Sequence, residues 1–421
     1  MKTAYFDNAS TTFPKPNCVY EFMDSFYRTA GANVGRGQYK ISAESSKIIF
    51  ETRELLKELL NCKNKKVFFT PTATIALNIL IQGIVRKRCS ARQIFCHAEL
   101  DSASENGFRN EFGMTNDHKQ LTVYISPFEH NAVTRVLHAL EKEKLVKVKV
   151  LPVEKEKNFY YDFQKIEREF ENEKPELLIL SHASNVCGLV CPVEKLCALA
   201  KKHSALTLLD MAQSAILVPM ELSSDLYDFA VFAGHKTLLG PLGVSGFTAS
   251  EEVLQKNIEP VLFGGTGIDS QNQDMPHDLP ARFEMGSMNI QAISGLHAAL
   301  LWWKDGAENI RQTEKENHLR LLEILQKYDF IKIAGPVAES RSENCVGVVP
   351  CIFNGYSADE IGNVLDEKNI AVRTGLQCAP LAHKTIGTFP AGTVRFSVGY
   401  FTNEEDFDAL TEALEYIKRN I

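Results

Sequence analysis

Short apolar segments alternate with longer segments of helical periodicity through the first half of the chain, and this alternation restricts the fold more than any other feature. Such an order is typical of an α/β layer, in which crossover helices cover a largely parallel sheet. Residues 43–60 place apolar side chains on one helical face, and Pro192 begins a second crossover helix that runs to about residue 203. The predicted strands are residues 66–70, 121–126, 146–151, 176–181, 206–210 and 229–233.

The pattern changes after the last predicted strand. Residues 251–282 are rich in Gly, Asp, Gln and Pro, so we expect a long surface loop there. Helical segments, a strand-like segment at 346–353 and a last helix near 404–419 follow. We therefore expect two domains, a large one of residues 15–260 and a smaller α+β domain of residues 1–14 together with 261–421.

Composition disfavours several classes of function. The 46 Lys and Arg against 53 Asp and Glu give a net charge of −7 without a block of like charges, which argues against a nucleic-acid partner. No apolar run reaches the roughly 18 residues that span a bilayer, and Asp7 precedes any signal-like apolar core. Ten cysteines at irregular spacings fit reduced thiols better than a disulfide framework. We expect a cytoplasmic protein without nucleic-acid or membrane partners.

One lysine lies where a predicted strand meets a glycine-flanked turn. Lys236 follows Gly234 and His235 directly after the strand at 229–233. A lysine held off the surface loses its proton more easily, as a lysine that forms a Schiff base must. The alternative is a solvated loop lysine, and this segment alone does not separate the two.

An acid stands at the carboxyl end of the preceding predicted strand. Ligands of open α/β sheets bind at this end of the strands, so Asp210 is a candidate ligand contact. Pyridoxal phosphate needs a carboxylate against its ring nitrogen, because the protonated ring is the electron sink of its chemistry. A simpler role for Asp210 is to cap the following turn. The position of Lys236, 26 residues further on, favours the cofactor interpretation.

Segments along nearly the whole chain resemble one family. Residues 129–133, 184–185, 210–213 and 234–236, with the N-terminal segment from Tyr5, are similar to the class V aminotransferases, and among them to cysteine desulfurases and selenocysteine lyases. The resemblance implies the type I fold of pyridoxal-phosphate-dependent transferases. This is an α/β fold whose large domain has a mostly parallel seven-stranded sheet beside a smaller α+β domain. It also implies pyridoxal 5'-phosphate as the cofactor and a homodimer.

The resemblance also assigns roles to individual residues. Lys236 corresponds to the Schiff-base lysine that carries protons, and Asp210 to the partner of the ring nitrogen. Gln213 corresponds to the residue that hydrogen-bonds the ring hydroxyl oxygen, and His130 to the imidazole that stacks on the ring and handles the substrate thiol proton. Asn185 is expected near the ring and the substrate carboxylate. Simpler roles stay open, with His130 as a helix-start residue and Asn185 as a turn residue.

A phosphate group binds well to backbone N–H groups at a helix N-terminus. Ala73 and Thr74 begin a predicted helix and are candidates for this contact, with His235 as a second anchor. A Thr N-cap would explain the same residues without a ligand. Ala73 and Ala233 stand where many relatives carry hydroxyl residues, so we expect more of the contact to come from the backbone and from Thr266. In the family, the loop of Thr266 reaches the phosphate of the neighbouring subunit.

Two C-terminal residues carry the expected substrate chemistry. Arg395 corresponds to the arginine that binds the substrate carboxylate, which a guanidinium suits because it is always charged and forks onto both oxygens. An exposed strand-edge residue is the alternative. Cys378, in the segment 372–379, resembles the sulfur-accepting cysteine, although Leu376 and Gln377 stand where some relatives have two histidines. Three cations close in sequence favour a thiolate, namely Arg373, His383 and Lys384.

These residues together predict a cysteine desulfurase that converts L-cysteine to L-alanine and leaves a persulfide on Cys378. We expect L-cysteine, and as a second possibility L-selenocysteine, as substrate, and a thiol-bearing protein as sulfur acceptor. The alternatives are a selenocysteine lyase, a cysteine sulfinate lyase, an aminotransferase or a non-catalytic partner-binding relative. No metal is expected, because Cys187, Cys191, Cys197 and His182 lack the paired spacing of zinc ligands.

Overall fold

A seven-stranded sheet forms the centre of the molecule, for which a computed structural model describes residues 3–34, 39–104, 120–268, 270–336 and 344–420. The strand order is β2-β10-β9-β8-β7-β3-β4, with every neighbouring pair parallel except those of β10. The strands are β1 (Ala4–Tyr5), β2 (Lys66–Thr70), β3 (Leu121–Ile125), β4 (Val146–Val150), β5 (Val153–Glu154), β6 (Tyr160–Tyr161), β7 (Leu177–Ser181), β8 (Leu206–Asp210), β9 (Phe229–Ala233), β10 (Ser245–Ala249), β11 (Ile331–Ile333), β12 (Val348–Phe353), β13 (Ile370–Ala371) and β14 (Val394–Ser397).

All six strands predicted from apolar runs are present in this sheet. Their side chains alternate between two cores: Leu178 and Leu180 of β7 join one apolar cluster, and Leu177 and Ile179 join the other. Both faces of the strand are therefore buried, which is why it reads as a continuous apolar run rather than as an alternating one.

The seventh strand, β10, was not predicted from the sequence. It contains Gly246 and few β-branched residues, so it lacks the usual composition of a strand. The glycine is required, since a Cβ atom there would clash with the Phe68 carbonyl oxygen of β2. Glycine is required here because the backbones of β10 and β2 come close together. The sequence alone does not reveal this close approach.

Helices cover both faces of the sheet and extend into the C-terminal region. Residues 251–257, expected to be loop, form a helix because the Ser250 side chain accepts a hydrogen bond from the Val253 N–H and caps it. The helices are α1 (Asn17–Ala30), α2 (Lys40–Leu59), α3 (Ala73–Ser104), α4 (Asn131–Lys142), α5 (Phe163–Asn172), α6 (Val193–Lys201), α7 (Glu251–Asn257), α8 (Ile290–Leu325), α9 (Ala358–Glu367), α10 (Pro380–Ile386) and α11 (Glu404–Asn420).

The long helix α8 bends at Gly306, whose backbone is not helical, and joins two parts of the molecule. Its first half packs in the core of α1, α2 and the large sheet, whereas Leu321 and Leu325 near its end pack in a separate C-terminal core. That second core lies against the antiparallel sheet β11-β12-β14.

The N-terminal strand belongs structurally to the C-terminal core. Strand β1 pairs with β13, and Phe6 is fully buried beside Phe396 and Phe407. This pairing supports joining residues 1–14 to the C-terminal part of the chain, and the exact domain boundaries stay a prediction. No helix in the described ranges is both long and apolar enough to cross a membrane.

Candidate active site

The carboxyl ends of three neighbouring parallel strands meet at one edge of the central sheet. Ser181 ends β7, Asp210 ends β8 and Ala233 ends β9, and all three line one cavity of about 270 Å³. A ligand site at this edge follows from the open parallel sheet. The same cavity is lined by eight of the predicted site residues, namely Ala73, Thr74, His130, Asn185, Asp210, Gln213, His235 and Lys236.

Lys236 lies in the turn after β9, where burial lowers the pKa of its ammonium to about 8. The nearby Asp210 charge opposes this shift, and the charges of Arg395 and Arg373 add to it. The turn itself is held by the Thr12 hydroxyl, which donates to the Lys236 carbonyl at 3.2 Å. The desolvated lysine expected from the sequence is therefore present, and a fraction of it is unprotonated near neutral pH.

Asp210 is buried, and its Oδ1 accepts a hydrogen bond from the Ala212 N–H at 3.0 Å. Burial raises the pKa of this carboxyl, while the Ala212 N–H and the Lys236 charge oppose the shift. Asp210 caps the next turn and also lines the cavity, and its contact with a cofactor ring stays a prediction. A cationic group of a ligand beside it would compensate its buried charge.

His130 has the helix-start role that the sequence left open, and its roles towards a cofactor ring and a substrate thiol stay predictions. It is the N-cap of α4, and its Nδ1 accepts a hydrogen bond from the Ala132 N–H at 3.0 Å. The neutral ring must therefore carry its proton on Nε2. Burial, followed by the positive charge of Lys236, lowers the pKa of His130 to about 4, so the imidazole is a neutral N–H donor at neutral pH.

The amides of Gln213 and Asn185 are bound to backbone carbonyls on two different segments. Gln213 Nε2 donates to the Ala9 carbonyl at 2.7 Å, and Asn185 Nδ2 donates to the Gln377 carbonyl at 2.7 Å. Both side chains are buried and line the cavity. They tie the N-terminal segment and the loop before Cys378 to the wall of the site.

One end of the cavity has donors suited to an anion. Ala73 and Thr74 form the first turn of α3, after a Thr72 hydroxyl that accepts from the Ile75 N–H at 3.2 Å. The expected Thr N-cap and the helix N-terminus therefore coincide. His235 Nδ1 is buried and has no hydrogen-bond partner among the described residues, and burial lowers the pKa of this imidazole to about 4. A polar group of a ligand at this position would satisfy the nitrogen.

Three predicted residues, Thr266, Arg395 and Cys378, do not line this cavity. The Thr266 hydroxyl donates to the Ile268 carbonyl at 3.4 Å, in a segment where Phe263 is 74% exposed. Its predicted contact with a neighbouring subunit stays a prediction. Arg395 on β14 is 2% exposed, so the alternative of an exposed edge residue is wrong.

The Arg395 guanidinium is already bound within the chain. Its Nη2 lies 2.5 Å from Asp7 Oδ1 and 2.9 Å from Ser10 Oγ, and its Nη1 donates to the Asn185 carbonyl at 3.0 Å. The Nε atom is buried without a partner among the described residues. A substrate carboxylate at Arg395 would therefore use the remaining N–H groups or replace Asp7.

Cys378 is exposed and lines a second cavity of about 400 Å³, which shares Thr74, His130 and Ala132 with the first. Arg373 Nη2 lies 4.0 Å from its Sγ. The other two predicted cations do not serve the thiol. Burial lowers the pKa of His383 to about 4, so it is neutral, and the Lys384 ammonium lies over the ring of Phe389 at 5.0 Å.

Several residues of the site had no role assigned from the sequence. Glu129 is fully buried and accepts hydrogen bonds from the N–H and the hydroxyl of Ser181 at 2.6 and 2.8 Å. Burial raises the pKa of Glu129 to about 8. Lys15 Nζ donates to the His235 carbonyl at 2.7 Å, directly before Lys236. A buried polar residue next to a functional one is a usable signal, as with Glu129 before His130, whereas nothing in the sequence links Lys15 to His235.

The cysteines outside the site form no disulfide where the structure describes them. Cys187, Cys191 and Cys197 are buried, and burial raises the pKa of each. Within the described ranges, no three His, Cys, Asp or Glu side chains are grouped to hold a metal ion.

Comparison with known proteins reveals relatives over the whole length. A protein of Methanothermobacter thermautotrophicus described as a probable cysteine desulfurase is 29% identical over 417 residues, covering 98% of this chain and 94% of the relative. A probable cysteine desulfurase of Halalkalibacterium halodurans is 28% identical over 418 residues, covering 98% of this chain and 93% of the relative.

Solved structures of the same fold are also described as cysteine desulfurases. The apo structure of the cysteine desulfurase from Thermococcus onnurineus superimposes with a TM-score of 0.83 at 25% identity, covering 100% of this chain and 95% of that one. An Escherichia coli cysteine desulfurase in an S-sulfonic acid form shares the fold, with a TM-score of 0.75 at 23% identity, covering 99% and 95%. The family model described as aminotransferase class-V matches residues 4–106 and 110–410. By this match across nearly its whole length, the chain belongs to the class V aminotransferase family.

Proposed function

We propose that this protein is a pyridoxal-phosphate-dependent cysteine desulfurase that converts L-cysteine to L-alanine and receives the sulfur as a persulfide on Cys378. One observation carries the proposal. The exposed Cys378 thiol lines a cavity that shares His130 and Thr74 with the cavity of Lys236 and Asp210. A nucleophilic sulfur therefore stands next to a site with the lysine and the acid that the cofactor needs. The relatives described as cysteine desulfurases support the same function.

The residues of the first cavity fit pyridoxal 5'-phosphate. Lys236 would hold its aldehyde and Asp210 its ring nitrogen, while the N-terminus of α3 and the unsatisfied His235 Nδ1 would hold its phosphate. His130 would lie against the ring, and Gln213 and Asn185 would border it. The bound cofactor supplies an electron-withdrawing ring that stabilises negative charge at the substrate α-carbon.

Lys236 is suited to move the proton of the substrate α-carbon. Its Nζ has a pKa of about 8, so it can accept a proton near neutral pH and return it. Asp210, buried in the cavity wall, would keep the ring nitrogen of a bound cofactor protonated by its negative charge. His130 presents an Nε2–H to the cavity and can donate a hydrogen bond to the substrate, but its low pKa makes it a poor base at neutral pH.

Cys378 performs the sulfur chemistry. Its thiolate attacks the sulfur of the substrate, a sulfur–sulfur bond forms, and the bond between that sulfur and the substrate β-carbon breaks. The electron pair of the broken bond goes to the carbon fragment, which takes up a proton and leaves as alanine. The sulfur remains as a persulfide on Cys378, and Arg373, 4.0 Å from Sγ, offers a positive charge beside the sulfur anion.

The same site suggests where the sulfur goes and how the protein assembles. Cys378 is exposed, so a thiol on an acceptor protein can reach its persulfide. A homodimer in which Thr266 reaches the partner's phosphate site would give a role to the exposed segment around Phe263. Free thiols throughout the described chain fit a reducing compartment, and we place the protein in the cytoplasm.

The function is tested by incubating the purified, cofactor-loaded protein with L-cysteine and measuring alanine, sulfide and protein persulfide. We expect alanine in amounts above the enzyme concentration, and a persulfide that mass spectrometry locates on Cys378. Cys378→Ser should still change the cofactor absorbance on adding L-cysteine, because that step needs no thiol, yet it should lose alanine formation.

Cys18→Ser is a suitable control, because this partly buried thiol lies on α1 and lines neither cavity. Its activity should equal that of the unmodified protein. Alanine formation by Cys378→Ser at the unmodified rate, or a persulfide on another cysteine, would contradict the proposal.

The alternatives predict different results in the same assay. A strict aminotransferase has no use for a thiol at the mouth of the cavity and would form a keto acid instead of alanine. Parallel incubation with L-selenocysteine, with selenide as product, tests the lyase alternative. A non-catalytic relative would form no product from either substrate.

A further inference from the structure

The loop of Cys378 contains a buried polar side chain next to the exposed cysteine. Gln377 is 4% exposed, although it precedes a residue that faces solvent. We propose that Gln377 and His383 are positioning residues that hold the Cys378 sulfur at a fixed place beside the cofactor cavity, an inference that rests on the proposed function of Cys378.

The orientation of the Gln377 amide follows from its partners. Its Nε2 lies 3.0 Å from the Thr393 carbonyl oxygen, which can only accept, so the amine end faces Thr393. The Oε1 atom therefore faces His383, whose Nε2 lies 2.8 Å away, and also accepts from the Thr393 hydroxyl at 3.3 Å. Every polar atom of the buried amide is bound, which favours one conformation of the side chain.

The partners of Gln377 also define the state of His383. Because Oε1 accepts, His383 must carry a proton on Nε2, and its Nδ1, 2.6 Å from the Thr388 hydroxyl, then accepts from that group. His383 is fully buried on α10, and burial lowers its pKa to about 4, in agreement with a neutral ring. The imidazole thus acts as a rigid connector between α10 and the cysteine loop.

The backbone beside the cysteine requires such support. Gln377 and Cys378 both adopt the left-handed backbone conformation, with φ of 41° and 58°. Residues other than glycine rarely adopt this conformation. The Asn185 amide donates to the Gln377 carbonyl, and the Asn131 N–H donates to the Cys378 carbonyl, each at 2.7 Å. These two bonds join the loop to Asn185 in the cofactor cavity and to the start of α4 next to His130.

This arrangement makes the position of the Cys378 sulfur a property of the fold. The loop is bound on one side to α10 through Gln377 and on the other to the cavity walls through its two carbonyls. Loss of the Gln377 side chain would remove the side-chain contacts of the loop with Thr393 and His383 and leave the strained backbone to its main-chain hydrogen bonds and the Asn185 amide. The attack of Cys378 on the substrate sulfur depends on their relative placement, whereas binding of cofactor and substrate does not.

Two substitutions test the inference. Gln377→Leu removes the amide, and His383→Leu removes its donor. In both, turnover of L-cysteine to alanine should fall by on the order of tenfold to a hundredfold through kcat, with KM little changed. The absorbance change on adding L-cysteine should keep its half-saturation. His383→Gln places a side-chain N–H where Nε2 was and should restore most of the activity.

The alkylation rate of Cys378 reports on the accessibility and reactivity of its thiol without depending on turnover of L-cysteine. The rate at which iodoacetamide modifies Cys378 should change severalfold in the two leucine variants and return towards the unmodified rate in His383→Gln. Thr385→Val on the same helix is the control for packing, because its hydroxyl donates to the Leu381 carbonyl of α10 and not to the loop. It should leave both rates unchanged. Thermal melting of every variant separates loss of folding from loss of positioning.

The outcomes separate this inference from the proposed function. Turnover and alkylation at the unmodified rates in folded Gln377→Leu would overturn the positioning role, even where Cys378→Ser is inactive. An equal loss in His383→Gln and His383→Leu would also overturn it, because the restored hydrogen bond would then have no effect. An active Cys378→Ser would instead refute the desulfurase proposal, and the alkylation rates would still report on the loop.

Discussion

Arg395 and Asp7 form an ion pair across the two ends of the chain, with Nη2 2.5 Å from Oδ1 and the arginine side chain 2% exposed. The Ser10 hydroxyl donates to the same carboxylate oxygen at 2.8 Å and is contacted by Arg373 Nη1 at 3.3 Å. The N-terminal segment thereby compensates a buried charge at the edge of the candidate site. The pair also explains why a residue expected to bind substrate is held so rigidly.

Asp7→Asn should destabilise the protein. It leaves the buried Arg395 charge without a counter-charge, for which a loss of about 3 kcal/mol in the free energy of unfolding is expected. Urea unfolding measures this. Asp24→Asn is the matched control, because Asp24 pairs with Arg28 on the surface of α1 and should cost less than about 1 kcal/mol. Equal losses in the two variants would show that the buried ion pair contributes no more to the free energy of unfolding than the surface pair.

Lys236→Ala should abolish both catalysis and covalent attachment of the cofactor. Turnover should fall by on the order of a thousandfold or more, because no other base replaces Nζ. Borohydride reduction followed by peptide mapping should find the pyridoxyl group on Lys236 in the unmodified protein and on no lysine in the variant. Lys304→Ala is the control, since this lysine pairs with Glu58 on the surface. A reduced cofactor on a different lysine would disprove the assignment.

Asp210→Asn should keep the cofactor on Lys236 but lose most of the activity. A neutral amide cannot hold the ring nitrogen protonated, so turnover should fall by about a hundredfold. Asp228→Asn is the matched control. Asp228 is also buried, but it lies just before β9, pairs with Lys201, accepts a hydrogen bond from the Thr207 N–H and does not line the cavity. It should lower stability and leave kcat unchanged. Normal turnover in Asp210→Asn would contradict the role of Asp210.

The buried histidines should make the protein sensitive to mild acid. Burial lowers the pKa of His318 to about 4 from an ordinary value of 6.5, and its Nε2 is buried without a partner among the described residues. The unfolded chain therefore binds the proton first, so stability is fully present above pH 6.5 and is lost as the pH falls from 6.5 towards 4.

A single substitution isolates the contribution of His318. In His318→Leu the difference in unfolding free energy between pH 7 and about pH 5 should be smaller than in the unmodified protein by about 2 kcal/mol. Urea unfolding of both proteins at the two pH values measures it, and the pH 7 data control for the change in packing. Parallel pH profiles of the two proteins would show that folding does not shift the pKa of His318.

Thr266→Val should weaken cofactor binding in a dimer. If Thr266 reaches the phosphate of the partner subunit, loss of its hydroxyl should lower the cofactor affinity by about tenfold, since one hydrogen bond to a charged group is removed. Sedimentation velocity should give a dimer for both proteins. Thr411→Val on α11, whose hydroxyl donates to the Phe407 carbonyl, is the control. A cofactor-saturated, active monomer would rule out the shared site.

The sequence by itself indicated six of the seven strands of the central sheet, and the two residues Lys236 and Asp210 that line one cavity at its edge. Five of the six predicted strands were predictable because both of their faces are buried, so that most of their residues are apolar. The sixth, β4 at the edge of the sheet, alternates valine with lysine and is only partly buried. Asp210 and Lys236 were predictable because Asp210 ends one of the apolar strands and Lys236 lies three residues after the next, and parallel strands bring their carboxyl ends to one edge. In both cases the relevant interactions lie within a few residues of a recognisable pattern.

Tertiary structure decided what depends on residues far apart in the chain. Gly246 of β10 is required by the nearby Phe68 carbonyl, and the buried charge of Arg395 is compensated by Asp7. The backbone at Cys378 is held by hydrogen bonds from Asn131 and Asn185 and by the Gln377 amide. Residues 6 apart, such as Gln377 and His383, also meet only because α10 turns back on the loop. Hydrogen bonds and ion pairs of this kind follow from distance and direction in space, and no local pattern of residue types encodes either.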